Sequence, residues 1–97
     1  MVLMVAYDLH NPGRDYKDVI AKLKTLGSWA HAQESVWLLD TTIGTSRVVD
    51  SLLAAGDAND SYVVARLRHD VSWHNIGIKP AFRAEVEKWL RSTSRTW

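Results

Sequence analysis

The chain has 97 residues, 46% of them apolar and 24% charged, with a formal net charge of +1 and no cysteine. That length suits one domain with a single core and excludes two, and the near-neutral balance excludes a strongly basic nucleic-acid binder while leaving local patches open. The lack of cysteine excludes a disulfide framework, a thiolate metal site and a cysteine nucleophile, and it fits a cytoplasmic protein.

Residues 1–7 form an unbroken apolar run ending at Asp8. It is too short, and lacks the basic flank, for a signal peptide; nothing elsewhere approaches the roughly 18–20 apolar residues of a membrane span, so no membrane partner is expected. A Val/Leu/Met/Tyr run without alternation predicts a strand covered on both faces over residues 2–8. Pro12 and Gly13 predict a turn, after which Asp15 caps a helix and Asp18 favours its positive end. Tyr16, Val19, Ile20, Leu23 and Leu26 make one apolar stripe, and Gly27 is expected to close the helix.

"SWAHAQESVWLLDTT" reads as a strand region with Trp29, His31, Gln33, Ser35, Trp37 and Leu39 on one face. Polar Glu34 and Ser35 at its middle predict a bulge or a break into two strands. A second helix is expected over residues 45–55, with Val48, Val49, Leu52 and Leu53 inward and Gly56 as its stop. "SYVVARLR" alternates as a strand, Tyr62, Val64 and Arg66 against Val63, Ala65 and Leu67. "DVSWHNIGIK" is irregular. Pro80 then suits the first turn of a third helix striped by Phe82, Val86, Trp89 and Leu90, before a loose tail.

The order is strand, helix, strand region, helix, strand, appended helix. If the middle region is two strands, two helices pack on one face of a mainly antiparallel four-stranded sheet. That is the ferredoxin-like βαββαβ solution, an α+β sandwich with an additional C-terminal helix, and residues 1–97 make one domain: 1–68 its core, 69–97 a loop plus helix. Such a fold hosts many unrelated functions.

Searches for phosphate-loop, dinucleotide, nucleophile-elbow and HExxH patterns find none. His10, His31, His69 and His74 show no metal-ligand spacing. Of the five tryptophans, Trp37 and Trp89 fit core stripes, whereas Trp73 and Trp97 sit in irregular segments and are candidates for a partner surface. Asp8 has two readings. Acids commonly end strands by accepting hydrogen bonds from the following turn, yet a carboxylate on a rigid strand end, before a loop, is also where a scaffold projects a metal ligand or general base.

The stretch "MVAYDLHNPGRDYKDVIAKLKTLGSWAHAQESVWLLDT" resembles the small CRISPR-associated Cas-two endonuclease family, and more closely its solitary SinR-like relatives near the VapD toxin ribonucleases. The likeness rests on an apolar strand ending Tyr-Asp-Leu, a helix of matching length, and Gln33, Ser35, Val36 and Trp37 in Gln-x-Ser-Val-aromatic order; it covers about residues 1–68. It implies a ferredoxin-like homodimer in which Asp8 of each subunit faces its mate across the two-fold axis. The implied activity is Mg²⁺-dependent hydrolysis of phosphodiester bonds in RNA or DNA. Mg²⁺ keeps several waters and takes one or two carboxylates plus phosphate oxygens, so a symmetric pair of single acids suffices. Ser35 would then contact the phosphate or Asp8, and Arg14, Arg66 and Arg68 would contact nucleic-acid phosphates. Family members bound to the CRISPR integrase exchange a C-terminal strand between subunits; the helix expected here argues against that role. The competing reading is a non-catalytic dimer that binds nucleic acid, a small ligand or a host protein, with Asp8 structural.

Overall fold

The computed structural model describes residues 1–10, 12–68 and 70–92, with 12–15 described for their backbone alone. The apolar N-terminal block forms β1 (Val2–Asp8), whose alternation sends Leu3, Val5 and Tyr7 to one face of the sheet and Met4 and Ala6 to the other. The helix α1 (Pro12–Leu23) starts earlier than predicted. Proline's fixed φ serves a turn and a first helical position equally well, and here it opens the helix. Asp15 therefore lies inside α1 rather than capping it; its side chain is outside the described residues.

The middle region is two strands, β2 (Ser28–Gln33) and β3 (Val36–Asp40), joined at Glu34 and Ser35, with a register shift between His31 and Gln33. Both sequence alternatives occur, a break and a bulge. Next come α2 (Thr45–Ala55) and β4 (Ser61–Leu67), then a 3₁₀ turn at Pro80–Phe82 leading into α3 (Arg83–Arg91). The fold is α+β: a four-stranded sheet in the order β2-β3-β1-β4, every neighbouring pair antiparallel.

Both faces of the sheet are covered. On one, Val19 and Leu23 of α1 and Val48 and Leu52 of α2 pack on Leu3, Val5, Trp37 and Leu39. On the other, Val86 and Leu90 of α3, with Ile76 from the irregular segment before it, pack on Ala30, Ala32 and Leu38. The loop is stitched to β2 by the Gly77 N–H, which donates to the Ala32 carbonyl at 2.6 Å. No helix among the described residues is long and apolar enough to cross a membrane.

Gly27 does not cap α1, which ends four residues earlier in turns closed by Thr25 N–H to Lys22 O and Leu26 N–H to Leu23 O. Glycine is needed there for a different reason: a Cβ would run into the main-chain carbonyl of Asp40. Backbone cannot swing aside as a side chain can. Gly27→Ala is expected to cost about 1–3 kcal/mol, an overpacking penalty, and to lower Tm by roughly 5–20 °C in a domain this size. Gly44→Ala, where a Cβ meets nothing within 4 Å, is the control and should change stability by less than about 0.5 kcal/mol. Thermal melts of both variants check the pair.

Two further expectations change. Leu53 and Phe82, expected in the apolar stripes of their helices, are exposed among the described residues. Trp73, a candidate for a partner surface, is half-buried and packs against the α3-side core with the Arg91 guanidinium 5.6 Å from its ring centroid. His69 and Trp97, with the rest of the 93–97 tail, lie outside the described residues.

Candidate functional site

Asp8 is the last residue of β1 and is exposed, on the α3 side of the sheet, opposite Ser61 at the start of β4. Seven paired residues on β4 and five on β3 hold the strand beneath it. The chain beyond is pinned at two points. Leu9 is buried against the α1–α2 core, and the His10 N–H donates to Asp60 Oδ1 at 2.7 Å. The other oxygen of Asp60 accepts the Asp57 N–H at 2.8 Å, so one buried carboxylate ties the β1 exit to the α2–β4 turn. Asp8 thus stands on a fixed backbone with its carboxylate in solvent.

Ser35 reaches the same corner through its backbone. Its carbonyl accepts the Tyr7 N–H at 3.0 Å, extending the β1–β3 ladder by one step into the turn. No hydrogen bond joins the Ser35 hydroxyl to Asp8. Arg66 pairs with Leu3, five residues along β4 from Ser61, which places it about 17 Å from the Asp8 end at strand rise. Arg68 lies further still. Both are exposed, but the fold of the chain does not gather them with Asp8. The Arg14 side chain is outside the described residues. Among the described residues no group of three or more His, Asp or Glu side chains is placed to hold a metal ion.

The β2–β3 turn carries a network the sequence does not announce. The buried Trp37 Nε1–H donates to Tyr7 Oη at 3.0 Å, and Tyr7 O–H donates onward to the Glu34 carbonyl at 3.2 Å. His31 Nε2 meets that same carbonyl at 3.0 Å; since a carbonyl only accepts, Nε2 carries the proton. Burial pushes the Tyr7 phenol above its ordinary range, so it stays a neutral donor. Burial, with the Lys24 ammonium nearby, holds His31 below its ordinary value against the pull of the Glu34 carbonyl, which favours the neutral ring.

His31 also leads into a cleft. Its ring stacks on Trp37 at 3.9 Å and 15°, Trp29 leans on Trp37 at 5.2 Å, and Lys24 Nζ sits 4.7 Å over the Trp29 ring. Across the outer edge of β2, Phe82, Glu85 and Trp89 form the opposite wall of this space of about 410 Å³. Trp89 is fixed by its Nε1–H, which donates to Ser28 Oγ at 2.9 Å. The sequence hinted at one wall only, since Trp29, His31 and Trp37 do share a face. The other wall comes from residues about fifty positions away, which no local pattern connects.

Comparison of the chain with protein-family models, with curated proteins and with solved structures found no match.

Proposed function

We propose that this protein is a homodimeric, Cas-two-like endonuclease that hydrolyses phosphodiester bonds of RNA or DNA with Mg²⁺, each protomer contributing Asp8 to one shared site. The observation that carries the reading is the placement of Asp8: a solvent-facing carboxylate at the end of a strand paired on both sides, with its exit loop clamped by Asp60. The strand order β2-β3-β1-β4 supports the ferredoxin-like assignment that accompanies the resemblance.

A site built on Asp8 alone calls for a second copy of the chain. A lone exposed carboxylate holds Mg²⁺ poorly, whereas two brought together by a two-fold axis supply the one or two protein ligands the ion takes beside water and phosphate. Their mutual repulsion is relieved only by a cation or a proton, which couples pairing to metal. Bound there, Mg²⁺ would polarise the phosphate and acidify an attacking water. The protein's own part is to hold the two carboxylates still.

Asp8→Asn keeps size and exposure while removing the charge. It is expected to lower Mg²⁺- or Mn²⁺-dependent cleavage of an RNA and DNA panel by on the order of a hundredfold or more, the scale of losing a transition-state charge stabiliser. Stability should move by less than about 0.5 kcal/mol, as for an exposed residue. Cleavage by the variant at the wild-type rate contradicts the proposal. A second reading, a non-catalytic dimeric binding module, is favoured by the aromatic cleft; it expects binding that survives chelator and no metal-dependent cleavage.

A further inference from the structure

We infer that the cleft astride the β2 edge holds one unpaired nucleobase of a single-stranded nucleic acid, stacked against Trp29 and Phe82, with its amino edge toward Glu85 and an adjoining phosphate on Lys24. The inference deepens the reading above by naming the substrate class, and it rests on that reading for the strand's destination.

Exposure is the first argument. Five large apolar side chains are exposed among the described residues, and three of them, Trp29 at 39%, Ile78 at 43% and Phe82 at 46%, line this one cleft. Single exposed apolar residues are ordinary; a convergent set marks a surface that meets something. At about 410 Å³ the space matches a small-ligand pocket rather than a protein interface.

Shape and charge narrow the occupant. The walls are flat rings, which favour a flat guest, and base–aromatic stacking is open to any base because each has a π-face. The two charges lie on opposite walls: Lys24 beyond the end of α1, and Glu85 in α3. An apolar peptide side chain would leave both unmatched. A base bearing an exocyclic amino group, attached to a phosphate, matches one with a donor and the other with an anion. A duplex cannot present such a base without first unstacking it.

Continuity sets the direction. His31 on the cleft wall and Tyr7, the residue before Asp8, both donate to the Glu34 carbonyl. The turn at Glu34 and Ser35 thus stands between His31 of the cleft wall and the strand end at Asp8, although Tyr7 and Asp8 face opposite sides of the sheet. A strand with one base seated in the cleft can run along that turn toward Asp8.

The test is fluorescence anisotropy of labelled oligonucleotides in EDTA, where cleavage cannot intervene. Oligoadenylate should bind more tightly than a duplex of equal length, and more tightly than oligouridylate, which lacks the amino group. Trp29→Ala should weaken oligoadenylate roughly 5- to 150-fold, the range for one lost base stack; Trp29→Phe should retain most of the affinity. Lys24→Gln should weaken binding and flatten its salt dependence, and Glu85→Gln should narrow the gap between adenylate and uridylate. Wild-type affinity in Trp29→Ala, or a duplex bound as tightly as a single strand, overturns the inference. Full competition by free adenosine monophosphate at the affinity of the oligonucleotide keeps a base-and-phosphate site but overturns the strand. Metal-dependent cleavage without metal-free binding sinks the cleft and spares Asp8; binding without any cleavage does the reverse.

Discussion

Trp37→Ala is expected to destabilise the fold by about 3–5 kcal/mol, the range for removing a large aromatic from a core. Trp37 is 1% exposed and is the largest fully buried side chain among the described residues. Its ring fills the sheet beneath α1 and α2, and its Nε1–H is satisfied by Tyr7 Oη. The same ring carries His31 and Trp29, so its removal also takes away the floor of the cleft. Against a typical total of about 5–15 kcal/mol, the loss is roughly a fifth or more of the stability. Tyr7→Phe separates the components: it keeps the packing but leaves the indole N–H without its acceptor, for about 1–3 kcal/mol. Urea unfolding of the two variants checks both values, and a Trp37→Ala midpoint close to that of wild type would show that the core lies elsewhere.

Asp60→Ala is expected to cost about 2–4 kcal/mol and to loosen the exit from β1. The carboxylate accepts from the His10 and Asp57 main-chain N–H groups at 2.7 and 2.8 Å, and hydrogen bonds to a charged group contribute about 1.5–3 kcal/mol each, less than additively when shared. Gly56 makes room for it, since a Cβ there would lie 2.5 Å from Asp60 Oδ2. Asp60→Asn does not rescue the clamp, because an amide presents one acceptor oxygen and turns its NH₂ toward a second N–H. Amide exchange should report the change: the His10 N–H loses protection in Asp60→Ala, and either the His10 or the Asp57 N–H does in Asp60→Asn, while the β1–β4 ladder holds. Unchanged protection at His10 would mean that Leu9 alone anchors the loop.

These two residues show what the sequence reveals and what it conceals. The core role of Trp37 was legible from its place in an apolar strand. That of Asp60 was not: inside "DAND" it looks like any turn acid, and its partner at His10 lies fifty residues away. The strands and α2 followed from run length and alternation. The start of α1 did not, because Pro12 satisfies a turn and a helix start alike. Gly27 looked like a helix cap because it follows an apolar stripe, yet it answers to the Asp40 carbonyl across the sheet edge. The position of Asp8 was plain in "VAYDL"; Ser35 came beside it only through the antiparallel pairing expected of the resemblance. The cleft was hidden, since Lys24, the β2–β3 hairpin and α3 meet only in three dimensions. Arg66 and Arg68 were candidates for nucleic-acid phosphates on charge alone; strand register puts Arg66 toward the end of β4 away from Asp8.

The central claim is that Asp8 works as half of a pair. Mn²⁺ binding at equilibrium, read by the loss of the free-ion electron paramagnetic resonance signal, measures that pairing directly. The account predicts one tightly held ion per two chains in the wild-type protein and none in Asp8→Asn. One ion per chain, or equal binding by the variant, would contradict it.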